Sequence, residues 1–81
     1  MASMRILSAR GDTAVEWDAA KFTEGDPEAR AAVAEAERLF QELKAKGATA
    51  FTVRPGRPAE RLDVFDPLAE QIVIVPRVAG G

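Results

Sequence analysis

The sequence has 81 residues, 47% hydrophobic and 30% charged, with 11 basic against 13 acidic side chains and a formal charge of −2. A chain this short holds one core, hence one domain, and its balanced composition excludes wholesale disorder. It contains neither cysteine nor histidine, which excludes disulfides, thiol nucleophiles and the commonest general base and metal ligand, so no intrinsic catalysis, metal site or cofactor is expected.

In chain order, Met1-Ala2-Ser3 lacks the apolar core of a signal peptide and reads as an expression scar ahead of a domain over 4–76. Met4 to Ala9 reads as a strand, with Ile6 and Leu7 its apolar members. Arg10-Gly11-Asp12 carries turn chemistry, because glycine accepts positive φ and aspartate bonds to nearby backbone. Ala14 to Asp18 alternates, Val15 and Trp17 pointing one way, which is the period of a half-buried strand. The two runs predict a β-hairpin. A polar connection follows over Lys21 to Asp26, with Phe22 tucked under the domain edge.

Asp26-Pro27-Glu28 is a strong helix start. Aspartate caps the free N–H groups, proline at the first helical position loses no hydrogen bond, and glutamate suits the positive end of the dipole. Ala29, Val33, Ala36, Phe40 and Leu43 then form one stripe at the helical period. Lys44, Lys46 and Gly47 carry stop signals, so the helix is expected from about 27 to 46. Thr49 to Val53 reads as a third strand, with Phe51, like Trp17, expected in the core. Turn residues 55–58 follow, then a short fourth strand within Arg61 to Phe65 and a turn over 66–70. Ile72-Val73-Ile74-Val75 is apolar on both faces and β-branched throughout, as befits a strand central in its sheet. Pro76 cannot donate to a ladder and ends the pairing, leaving 77–81 as a flexible tail.

One amphipathic helix needs one sheet face to cover it, so the fold class is α+β in two layers. A hairpin alone is marginal, and the last, most apolar strand is expected beside the first. From Met4 to Gly81 the element order and the terminal diglycine resemble the ubiquitin family, and the composition rich in alanine and arginine is nearer to bacterial ubiquitin-like modifiers. The resemblance implies a β-grasp (ubiquitin-like) roll, ββαβ(β)β, with a mixed sheet of order 2-1-5-3 packed on the one helix. Gly80 and Gly81 match the family's diglycine, which places the conjugating carboxylate on Gly81. Arg77 matches the arginine fifth from the end in ubiquitin, and Val78 the apolar residue after it. Arg77, Val78 and Ala79 would then be read by the activating enzyme, although Pro76 and Ala79 depart from ubiquitin, which has a second arginine at the latter position.

The expected function is therefore that of a protein modifier. Gly81 would be adenylated by an E1-like activating enzyme, passed on through an E2-like enzyme, joined by an isopeptide bond to a target protein, and released by a deconjugating peptidase. Two glycines suit such a tail, since backbone without Cβ approaches phosphates closely. With Gly81 last, no proteolysis is expected first. Lys21, Lys44 and Lys46 are the only lysines; they would be the chain-forming sites if the protein makes polymers, and solubility explains them as well. Two alternatives stand beside this reading: a sulfur carrier with a C-terminal thiocarboxylate, and a β-grasp interaction module of a phage or secretion system that is never conjugated. Glu35, Glu37 and Glu42 read as a solvated helix face supported by Arg38. Arg5, Arg10, Arg54, Arg57 and Arg61 would make a basic patch for an acidic partner if the fold gathered them. A mildly acidic chain argues against nucleic acid. No run approaches the roughly 20 apolar residues of a membrane span, and a cytoplasmic protein is expected.

Overall fold

The computed structural model describes residues 1–77. Five strands, β1 (Ala2–Ile6), β2 (Thr13–Trp17), β3 (Thr49–Val53), β4 (Glu60–Arg61) and β5 (Gln71–Val75), form one sheet in the order β2-β1-β5-β3-β4. β1 and β5 are parallel, and the other neighbours are antiparallel, so the sheet is mixed. Two helices, α1 (Ala19–Glu24) and α2 (Pro27–Ala45), follow β2. The architecture is a two-layer α+β domain with one main helix.

The main helix forms as its caps dictate. The Asp26 carboxylate accepts the Ala29 N–H at 3.0 Å, and Pro27 opens the first turn. At the far end the Ala48 N–H donates to the Leu43 carbonyl at 3.0 Å and the Gly47 N–H to that of Lys44 at 2.9 Å, a Schellman closure. It needs a left-handed residue, and Gly47 supplies it at φ 95°. Between the caps Ala29, Val33, Ala36 and Phe40 are buried, the stripe read from the sequence.

That stripe rests on the inner sheet face, where Ala2, Met4, Ala50, Ile72 and Ile74 are buried. Phe65 from the loop before β5 completes the core by meeting two rings, Phe40 at 5.6 Å and Trp17 at 5.9 Å between centroids. The Trp17 indole N–H donates to the Pro67 carbonyl at 2.9 Å, which ties the loop to the hairpin. Among the described residues no polar or charged residue is buried.

Four expectations shift. β1 begins at Ala2, not Met4, because Ala2 pairs with Trp17 and Met4 with Val15, which turns Ala2, Met4 and Ile6 inward; the fold takes in Ala2 and Ser3, which the sequence reading set ahead of the domain. The polar connection over 21–26 is mostly helix, since the Asp18 carboxylate accepts the Lys21 N–H at 3.1 Å and Gly25 closes the turn at φ 88°. β4 is only Glu60–Arg61; beyond the Leu62 N–H bond to the Ala50 carbonyl at 2.8 Å, the chain turns away and drives Phe65 into the core. Phe51 lies outside the core, on the outer face, because Ala50 is the residue of β3 that turns inward beside Ile74.

Two substitutions test this packing by urea unfolding. Phe40→Ala is expected to lose about 3–5 kcal/mol, a large share of the stability of so small a domain. Thr52→Val is expected to gain about 1 kcal/mol, because the Thr52 hydroxyl is buried without a hydrogen-bond partner.

Candidate functional site

The sequence points to the C-terminal tail, and the structure describes its root. β5 lies between β1 and β3, hydrogen-bonded on both sides, up to the pair of Val75 with Thr49. Pro76, with no N–H, follows at the edge of this ladder. Arg77 then folds over the end of α2. A Cβ built on Gly47 would stand 3.0 Å from Cδ of Arg77 and 3.6 Å from its Cβ. Gly47 thus does two things: it accepts the left-handed backbone and leaves room for the arginine. Its Nη1 lies 3.8 Å from the same point, so the positive charge sits at the negative end of the helix dipole. Val78, Ala79, Gly80 and Gly81, the other tail residues singled out, lie outside the described residues.

The outer sheet face is a feature that sequence reasoning missed. The register sets Arg5, Val73, Phe51 and Arg61 side by side across β1, β5, β3 and β4. Phe51 and Val73 are half-buried yet make no part of the core cluster or of the side chains packed on it. Among the described residues no helix covers them. Each flanking arginine meets a carboxylate, Arg5 with Asp12 at 3.6 Å and Arg61 with Asp63 at 3.1 Å. The signal was present in the period of β3, where assigning Ala50 rather than Phe51 to the inside would have exposed it.

The expected single basic patch does not form. Arg5 and Arg61 share the outer face, whereas Arg10 lies in the loop joining β1 to β2 and Arg54 and Arg57 in the loop after β3, at opposite ends of the sheet. The carboxylates of α2 also take their plainer role. Arg38 bonds Glu35 at 2.6 Å and Glu42 at 2.9 Å on the exposed helix surface. The hydrogen bond from Arg38 holds the Glu35 carboxyl below the ordinary glutamate range. The small support this gives the helix is present above the ordinary glutamate range and is lost as pH falls below it through the lowered Glu35 value. Among the described residues no group of three or more acidic side chains is placed to hold a metal, and no helix is long and apolar enough to cross a membrane.

Comparison with models of known protein families, with curated proteins and with solved structures found no match.

The three lysines have different settings. Lys44 is half-buried; its ammonium bonds the Asp63 carbonyl and lies 5.7 Å from the Phe40 ring centroid. Lys46 is exposed, with Glu42 no nearer than 3.9 Å, and Lys21 is exposed. Brief treatment with an amine-reactive acetyl ester should therefore modify Lys21 and Lys46 before Lys44, as read by peptide mass spectrometry. Equal labelling of all three would contradict this arrangement.

Proposed function

We propose that this chain is a ubiquitin-like protein modifier of the β-grasp type, with Gly81 as its conjugating residue. One observation carries the reading: the strand that leads into the diglycine segment is central, parallel to β1 and paired along its length with β3. A tail hung from such a strand is held by the whole domain. Arg77 lies at its root, exposed, against the end of α2.

The chemistry follows from the carboxylate. An oxygen of Gly81 attacks the α-phosphorus of ATP and pyrophosphate leaves, giving an acyl adenylate. An enzyme thiolate displaces AMP to form a thioester. A target amine displaces the thiol and yields the amide. This chain is the acyl donor throughout, and an E1-like partner, with an E2-like enzyme and a deconjugating peptidase, supplies the catalysis, all in the cytoplasm. The outer face around Phe51 and Val73, rimmed by Arg5 and Arg61, is the surface such enzymes would grip, since it is apolar at its centre and polar at its edge.

The test is pyrophosphate exchange with a panel of E1-like adenylating enzymes. Exchange should appear with the full chain and vanish on deletion of Gly81. Arg77→Ala should raise the apparent KM about ten- to a hundredfold, the loss of one charge-assisted contact of about 1.5–3 kcal/mol. Exchange that survives deletion of Gly81 would end the modifier reading. A sulfur-for-oxygen exchange at the C terminus, seen by mass when a sulfur donor is present, would turn it into that of a sulfur carrier.

A further inference from the structure

A depression of about 510 Å³ opens where β1 and β5 begin and β2 ends, the end of the sheet away from Arg77. Met1, Ala2, Ala19, Ala20 and Leu68 form its apolar wall, and Asp18 and Glu70 add two carboxylates. Two large apolar side chains that the fold leaves in solvent meet here, Met1 at 86% and Leu68 at 61% exposure.

Leu68 is not exposed by looseness. Its own N–H donates to the Asp66 carboxylate at 2.9 Å. The next N–H, of Ala69, donates to the Asp66 carbonyl at 3.2 Å, and the preceding carbonyl, of Pro67, accepts the Trp17 indole N–H at 2.9 Å. Phe65 and Ala69, on either side of this turn, are buried. The leucine is held out on a fixed backbone, so covering it costs little further ordering. A preset apolar anchor beside a concavity is the usual centre of a protein contact.

The charge says what fits. An adjoining depression of about 230 Å³ shares Met1 and Asp18 and adds Glu16, Asp26 and Glu28, so that across the two depressions the carboxylates of Asp18, Glu70, Glu16, Asp26 and Glu28 outnumber the ammonium groups of Lys21 and the Met1 N-terminus. Anionic lipid and nucleic acid are repelled by such walls. We infer that this end of the domain is a docking site for a protein segment that carries an aliphatic side chain flanked by lysine or arginine. The aliphatic group covers Leu68 and the alanines, and the cations meet Asp18, Glu70 and the neighbouring carboxylates. The site stands apart from the modifier reading and lies at the end of the sheet away from the tail root.

The experiment selects binders from random dodecapeptides displayed on phage against the immobilised full chain, then measures them as free peptides. Selected sequences should place lysine or arginine beside an aliphatic residue. Their amide shift changes should centre on Ala19, Ala20, Leu68 and Glu70. Leu68→Ser should weaken binding at least tenfold with the circular dichroism unchanged, and Glu70→Gln should weaken it several-fold at low salt. Deleting Gly81 should change nothing, which keeps this test separate from that of the modifier reading. The inference is overturned if no peptide is selected, if the peptides lack basic residues, if shifts map to the outer sheet face, or if Leu68→Ser binds as the parent does.

Discussion

Everything in this domain depends on one helix covering one face of one sheet. A five-stranded sheet has two faces, and α2 supplies apolar surface for only one of them. The inner face is therefore filled to completion: Met4, Ile72, Ile74 and Phe40 are fully enclosed. No polar or charged residue is buried among the described residues, so the arrangement rests chiefly on the fit of apolar side chains. The ring sequence Trp17, Phe65, Phe40 matters for that reason, because it locks hairpin, return loop and helix into one unit. The outer face takes what remains, and Phe51 with Val73 stays uncovered there.

The main helix and the place of the last strand were legible because several signals agree at each. Asp26 as cap, Pro27 at the first turn, a stripe of period 3.6 and Gly47 at the stop all indicate the same segment, and the structure ends it within a residue of the expected limit. Ile72 to Val75, apolar on both faces, had to be central. The first strand was misread because Ile6-Leu7 is its most apolar pair, while the inward residues are Ala2 and Met4, one small and one flexible. Alanine carries almost no hydropathic signal, and here it also hid Phe51, since Ala50 takes the inner position. The short helix α1 was missed because it has no buried residue to give it a period; its caps, Asp18 and Gly25, were the only signal. The tail residues singled out beyond Arg77 lie outside the described part of the chain.

The charges have a logic of their own. Asp26 and Glu28 stand at the start of α2, and Lys44, Lys46 and Arg77 at its end. Each set opposes the local end of the helix dipole and so favours the helix. The same choice charges the two ends of α2 oppositely. The start of the helix lies by the depressions lined by Asp18, Asp26 and Glu28, and its end lies by the root of the tail. What stabilises the helix also sorts the kinds of partner each end can accept.

The root of the tail is shaped by few residues. After Val75 the ladder with β3 has nothing more to offer, because Pro76 brings no N–H to it. A residue left free at that point would sample many directions. Arg77 has a place to rest, because the helix ends in a glycine whose missing side chain leaves a seat for the arginine's methylenes, and the seat lies at the negative end of the dipole. Any side chain at position 47 would press on Arg77 as well as strain the left-handed turn. The glycine that stops the helix and the arginine that begins the tail are thus one feature, formed by residues 30 apart in sequence and brought together by the pairing of Thr49 with Val75.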